Sequence, residues 1–174
     1  MKRTYKKDFK NKIPFGNKAT QQIMDFYLFQ CPVNGTSFRG VTFEEYGWNG
    51  SVQFGQLKRK MLEESSPSLK KNYYPCLKAE LEEHFKLIKD VHPIDEYCVF
   101  LKNEEGTVMQ SLFSAIRNAF AHGSFSVREY SVDNKKTKIY FFSNYNKYLK
   151  AEIVLQETTL LEWISIVKNG YIHS

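Results

Sequence analysis

The spacing of apolar residues changes at Gly123, and this change limits the chain to folds that contain both helices and strands. Before Gly123, apolar residues recur every three or four positions, as on one face of an α-helix. After it, "SFSVREYSV" and "KTKIYFFSN" are rich in Val, Ile, Phe, Tyr and Ser, and they flank the turn-forming "DNKK". This pattern predicts a β-hairpin. Helical spacing returns in "TTLLEWISIVKNG", whose apolar stripe ends before Gly170, a residue placed as a C-cap.

Four further helices are predicted ahead of the hairpin. The first begins after Asn17, a candidate N-cap, and the second covers "SVQFGQLKRKMLEES" and stops before Pro67. The third covers residues 75–91, and the fourth runs from about Glu104 to Ala121. The third carries an apolar stripe at intervals of four, four and three residues: Leu77, Leu81, Phe85 and Ile88.

Two short apolar segments leave the choice between helix and strand open. "IDEYCVFL" fits either structure, and "AEIVL" fits a third strand or a lead into the last helix. The pattern as a whole predicts a mainly α fold, in which a helical bundle contains a small β-hairpin inserted before the C-terminal helix.

Positive charge is concentrated at the N-terminus. Residues 1–18 hold seven of the 25 Lys and Arg residues but one of the 19 Asp and Glu residues, so the remainder has 18 of each. We therefore predict a basic N-terminal arm over 1–18 and a single helical domain over 19–174. The arm suits contact with phosphate backbones, although a solvated tail without a partner explains it equally well. The candidate RNA contacts in the arm are Lys2, Arg3, Lys6, Lys7, Lys10 and Lys12.

Several classes of protein are not supported by the sequence. Cys31, Cys76 and Cys98 are widely spaced and form no zinc-ligand pattern, so reduced core thiols are expected. No apolar run is long enough to span a membrane, and we expect a cytoplasmic protein without membrane contact. The phosphate-binding and hydrolase motifs GxxxxGK[ST], GxGxxG, HExxH and GxSxG do not occur. No cofactor or metal site is predicted.

The fourth helix ends in "IRNAFAHGSF", where polar residues gather beside an apolar stripe. Ser111, Ser114, Asn118 and His122 recur at three, four and four positions and form a polar ridge. Arg117 is five residues from His122, so the two side chains leave the helix about 140° apart. A merely polar helix terminus explains part of this pattern, because histidine is favoured at a helix C-terminus and Gly123 is an ordinary residue to follow it.

Arg117, the polar Asn118 and His122 together resemble the motif of the HEPN superfamily (higher eukaryotes and prokaryotes nucleotide-binding domains). That motif has an Arg, usually a polar residue after it, and a His four to six positions on. The helix, hairpin and final helix also resemble small bacterial HEPN proteins of abortive-infection and toxin type, over roughly residues 70–170. The resemblance implies a HEPN-like helical bundle, a homodimer that brings two motifs together, and metal-independent cleavage of RNA.

The residue types suit that chemistry. Histidine can transfer a proton near neutral pH, and arginine offers a charged fork that matches phosphate geometry. On the resemblance, His122 transfers the proton, Arg117 binds the scissile phosphate, and Asn118 orients His122 or contacts the substrate. Ser114 is a further candidate RNA contact. The hairpin aromatics could stack on bases and its lysines could bind RNA, although sheet packing and a solvated turn are more common roles.

Three functions remain in competition. The first is a dimeric endoribonuclease acting as a toxin or antiphage defence effector, with an antitoxin or regulatory protein as a possible partner. The second is a catalytically inert HEPN module that binds or scaffolds a partner such as a nucleotidyltransferase. The third is a nucleic-acid-binding protein that acts through its basic arm, with Arg117 and His122 purely structural.

Overall fold

The computed structural model describes residues 17–33, 41–132 and 134–171. Within these ranges, none of the helices is long and apolar enough to cross a membrane. The candidate RNA contacts of the basic arm, from Lys2 to Lys12, lie outside the described residues.

Six α-helices occur in the described residues, and the first continues directly into a π-helical segment, Asp25–Gln30. Asn17 caps the first helix, because its side-chain oxygen accepts hydrogen bonds from the backbone N–H groups of Ala19 and Thr20 at 2.9 and 3.2 Å. The predicted N-cap is therefore confirmed. The helices are α1 (Lys18–Met24), α2 (Gly50–Glu63), α3 (Pro67–Lys71), α4 (Leu81–Leu87), α5 (Val108–Ala121) and α6 (Glu157–Asn169).

Five strands form one mixed sheet with the order β1-β2-β5-β4-β3. β1 and β2 are parallel, and every other neighbouring pair is antiparallel. The predicted hairpin is present as β3 and β4, and β5 continues from it in the same sheet. The strands are β1 (Tyr73–Cys76), β2 (Tyr97–Leu101), β3 (Phe125–Val132), β4 (Lys135–Asn146) and β5 (Tyr148–Gln156).

The predicted mainly α bundle is wrong, because a five-stranded sheet makes this an α/β fold. Both segments left open by the sequence, 94–101 and 151–155, contain sheet strands. Their residues contact cores on both faces of the sheet, so they lack the alternation of polar and apolar residues that identifies a half-exposed strand. The predicted helix over 75–91 is also too long, since its start belongs to β1 and a turn and Leu77 is 56% exposed.

The main core lies between the sheet and most of the helices. Side chains of β2, β4 and β5 on one face pack against α1, α2, α5, α6 and the π-helical segment. A smaller core on the other face joins α4 to β1 and β2, including Leu81 and Val99. The helix α5 contacts both β2 and β4, which places its length along the sheet.

Buried polar groups tie α6 to its neighbours. The indole N–H of Trp48 donates to the carbonyl of Val167 at 3.0 Å. The indole N–H of Trp163 donates to the carbonyl of Met61 at 3.2 Å and to Ser65 Oγ at 3.1 Å. Both rings are almost completely buried, so these bonds satisfy donors that would otherwise be costly to remove from water.

Candidate functional site

The helix α5 begins at a capping box. Thr107 Oγ1 accepts from the backbone N–H of Gln110 at 3.1 Å, and Gln110 Oε1 accepts from the backbone N–H of Thr107 at 2.8 Å. The helix therefore starts at Val108 and not near Glu104, as the sequence pattern predicted. The predicted apolar stripe packs into the main core, where Leu112, Ile116 and Ala119 are fully buried.

The other end of α5 closes in a Schellman motif around Gly123. Gly123 has φ +66°, its N–H donates to the carbonyl of Phe120 at 3.2 Å, and the N–H of Ser124 donates to the carbonyl of Ala119 at 2.8 Å. The expectation that Gly123 follows the last helical residues is confirmed. His122 is the C-cap, and its backbone N–H donates to the carbonyl of Asn118 at 3.0 Å. The motif holds His122 at the junction of helix and sheet, with its side chain exposed.

A cavity of about 250 Å³ lies between the polar ridge of α5 and the β4–β5 hairpin. We call it the α5 cavity. No Asp or Glu occurs among the described residues that line it, whereas His122 and Lys150 do line it. Such a lining suits an anion, because Lys150 attracts negative charge and the described lining holds no carboxylate to repel it. The residues that line the cavity are Ser111, Ser114, Ala115 and Asn118 on α5, His122 at its C-cap, Leu101 at the end of β2, Asn103 in the loop after it, Ser124 before β3, Asn144, Tyr145 and Asn146 on β4, and Lys150 and Ala151 on β5.

The two serines of the ridge have different surroundings. Ser111 is 3% exposed, its hydroxyl donates to the carbonyl of Thr107 at 3.1 Å, and its oxygen accepts from the N–H of Asn103 at 3.0 Å. These bonds tie the loop after β2 to α5, which is a structural role. Ser114 is half-buried and lines both the α5 cavity and a larger neighbouring groove, so it remains a candidate contact.

Arg117 does not line the α5 cavity but is linked to it through Asn118. Its Nη1 donates to Asn118 Oδ1 at 3.1 Å, and Asn118 lines the cavity, whereas Arg117 does not. Burial raises the pKa of the Cys31 thiol, and the nearby positive charge of Arg117 partly opposes this. The guanidinium is therefore close to the chain that follows the π-helical segment. Within one chain, Asn118 and His122 meet at one cavity, and Arg117 reaches it indirectly.

Most of the predicted hairpin contacts have structural roles. The aromatic side chains proposed to stack on bases are Tyr130, Tyr140, Phe141, Phe142 and Tyr145. Three of these five are buried in the sheet, namely Tyr130, Tyr140 and Phe142. Lys136 pairs with Glu129 at 3.3 Å, and Lys138 pairs with Glu157 at 3.6 Å. Tyr145 differs from the buried rings, since it is 74% exposed at the edge of the α5 cavity.

The sequence analysis missed the cavity residues of β4 and β5, notably Asn144 and Lys150. Asn144 Nδ2 donates to the carbonyl of Ala115 at 2.7 Å and so connects β4 to the middle of α5. Lys150 enters through the register of β5, which pairs Asn144 with Ala151. The alternation of tyrosine and lysine in "YNKYLK" was the available signal.

In the part of the chain that the structure describes, no three His, Cys, Asp or Glu side chains are grouped as a metal site. Comparisons of the chain with protein-family models, with curated proteins and with solved structures gave no match.

Proposed function

We propose that this protein is a homodimeric, metal-independent endoribonuclease of HEPN type that acts in the cytoplasm. The observation that carries the proposal is the α5 cavity, where His122, Asn118 and Lys150 share a lining whose described residues include no carboxylate. An RNA phosphate entering this cavity would meet a cation, hydrogen-bond donors and a group able to transfer a proton. The resemblance of Arg117, Asn118 and His122 to the HEPN motif supplies the choice of RNA as substrate.

The proposed reaction is transesterification within the RNA. A base removes the proton of a ribose 2′-OH, O2′ bonds to the adjacent phosphorus, the bond from phosphorus to O5′ breaks, and O5′ receives a proton. The products are a 2′,3′-cyclic phosphate and a 5′-OH. His122 performs one of the two proton transfers, and Lys150 stabilises the negative charge that builds on the phosphoryl oxygens.

Asn118 has a defined part in this scheme. Its Oδ1 is engaged by Arg117 at 3.1 Å, which leaves the Nδ2 group as the donor that a substrate oxygen in the cavity can use. Arg117 acts either as a positioning residue through Asn118 or directly on the phosphate bound by a second copy of the chain. The dimer expected from the resemblance would supply that second copy.

Total RNA incubated with wild type or His122→Ala in the presence of EDTA tests the reaction. We expect cuts with wild type alone, and the cut ends should carry 2′,3′-cyclic phosphate and 5′-OH groups. His84→Ala is the matched control, because His84 lies on α4 and does not line the cavity. Equal cleavage by His122→Ala, or a requirement for added metal, would contradict the proposal.

A second candidate function is a catalytically inert HEPN module that binds or scaffolds a partner protein, such as a nucleotidyltransferase. The contact of Arg117 with Asn118, and its place near Cys31, favour this candidate because they describe an arginine used for structure. Co-purification with a stable partner, combined with no RNA cleavage before or after its removal, would support it. Cleavage by the isolated wild type favours the enzyme, which we place among toxins or antiphage effectors.

A further inference from the structure

The turn between β4 and β5 presents aromatic and basic side chains beside the α5 cavity. Tyr145 is 74% exposed and lines the cavity together with Lys150. A flat exposed ring offers a surface on which a base can stack. Lys147, at the tip, has φ +62°, a conformation that lysine rarely adopts.

A larger groove of about 780 Å³ continues from the cavity along the N-terminal half of α5. We call it the α5 groove. The two recesses are contiguous, because Leu101, Asn103 and Ser114 line both. A chain that places one phosphate in the cavity would therefore have its next residues over the groove.

Two lysine ammonium groups lie near the ring of Tyr148, where the α5 cavity and the α5 groove meet. Lys78 Nζ lies 4.9 Å from the centre of its ring, and Lys150 Nζ lies 5.5 Å from the same centre. Such cation–π contacts hold two ammonium groups near one ring. Lys78 and Tyr148 line the groove, and Lys150 lines the cavity, so the pair of lysines spans the boundary. Lys102 also lines the groove, so three lysines line the two recesses together.

We propose that the Tyr145 ring and the Lys78–Tyr148–Lys150 cluster form the track that holds single-stranded RNA next to the bond to be cut. The choice of RNA rests on the proposed function. Tyr145 stacks on an unpaired base, while Lys78, Lys102 and Lys150 contact successive phosphates. A duplex cannot offer a separated base to Tyr145, so the track selects unpaired RNA.

Two acidic residues oppose this attraction. Glu104 and Glu105 also line the α5 groove, so the three lysines there and in the cavity are partly balanced. Removing the two carboxylates should therefore strengthen binding, whereas removing lysines should weaken it. Both effects are expected if a phosphate chain passes through the groove.

The test is fluorescence anisotropy with a short, labelled oligouridylate, performed on the full chain carrying His122→Ala so that RNA is not cut. Tyr145→Ala should weaken binding by about fivefold or more, and Tyr145→Phe should restore it, because the ring and not the hydroxyl stacks. The double variant Lys78→Ala with Lys150→Ala should weaken binding. It should also reduce the slope of log affinity against log salt concentration, by roughly 0.7 for each lost phosphate contact. Glu104→Gln with Glu105→Gln should tighten it.

Lys136→Ala is the matched control, since this exposed lysine lies on the other hairpin and pairs with Glu129. The track is overturned if the parent does not bind the oligouridylate, or if the Tyr145 and lysine variants bind as tightly as the parent. Loss of binding in those variants, together with no cleavage by wild type, would uphold the track and refute the reaction. Cleavage by wild type with unchanged binding in the variants would refute the track alone.

Discussion

Asn118 links Arg117 to the α5 cavity, because its side chain accepts a hydrogen bond from Arg117 and also lines the cavity. Asn118→Asp preserves an acceptor for Arg117 Nη1 but removes the amide donor from the cavity. We expect this variant to melt at the wild-type temperature and to lose most of its RNA cleavage. Asn118→Ala should lose cleavage and also about 1 kcal/mol of unfolding free energy, because the bond to the guanidinium is lost.

Thermal melting and cleavage of total RNA, measured on the same preparations, separate these effects. If Asn118→Asp cuts RNA as fast as wild type, the amide group does not contact the substrate.

Buried thiols and phenols predict a loss of stability in alkali. Burial raises the pKa of Cys98 and Tyr27 well above their ordinary values of 9.0 and 10.0, and that of Cys76 to about 11. Above about pH 9 the unfolded chain releases these protons while the folded protein keeps them. The unfolded state then binds fewer protons, so stability is fully present below pH 9 and falls as pH rises through 11.

Urea unfolding at a series of pH values between neutral and alkaline measures this slope. Cys98→Ala should unfold more easily at neutral pH but lose stability less steeply in alkali, because one of the protons has been removed. An identical slope in wild type and Cys98→Ala would show that Cys98 does not contribute.

At the scale of the element, two glycines make opposite predictions for the same substitution. Gly123 ends α5 with φ +66°, and an added Cβ would meet no atom within 4 Å, so Gly123→Ala is penalised by conformation alone, by about 1 to 2 kcal/mol. Gly55 lies inside α2 with open space around it, so Gly55→Ala should stabilise by about 0.5 to 1 kcal/mol. Chemical denaturation of both variants measures the two signs, and a stabilised Gly123→Ala would exclude the Schellman ending.

The elements that could be predicted from the sequence are those whose periodicity reflects one buried face. The stripe of α5 and the end of α6 at Gly170 follow that rule, whereas the hairpin of β3 and β4 is indicated by its residue types and its turn. β2 and β5 do not, because Val99 and Val154 pack on one face of the sheet while Cys98 and Ile153 pack on the other.

The residues of the candidate site also divide into those that the sequence could predict and those that it could not. Asn118 and His122 share one helix, so their spacing placed them together, as the cavity confirms. Lys150 and Asn144 reach that cavity only through the pairing of β4 with β5. No local pattern reports such a pairing, so the five lining residues on β4 and β5 could be known only from the folded chain.

At the scale of the whole molecule, the separation of Arg117 from the cavity makes the proposed dimer testable by mixing subunits. Arg117→Ala and His122→Ala, each inactive alone, are unfolded together and refolded as a mixture. If each site takes Arg117 from one copy and His122 from the other, the mixture should recover about a quarter of wild-type cleavage, because half of the dimers are mixed and each has one intact site.

The control is His122→Ala mixed with Asn118→Ala, which tests whether Asn118 and His122 act within one chain. Those two side chains share one cavity, so recovery is not expected in that mixture. An Arg117→Ala and His122→Ala mixture that stays inactive, despite light scattering showing dimers, would place Arg117 in the same chain as the His122 it serves.

The two buried indoles described with the fold also determine what the intrinsic tryptophan fluorescence of this protein reports. Trp48 and Trp163 are the two tryptophans of the sequence, and Trp163 belongs to α6 while Trp48 donates a hydrogen bond to it. Their emission therefore reports on the helical layer and not on the β4–β5 turn. A change in that emission during unfolding marks the departure of α6, so watching the turn or the cavity requires a fluorophore introduced there.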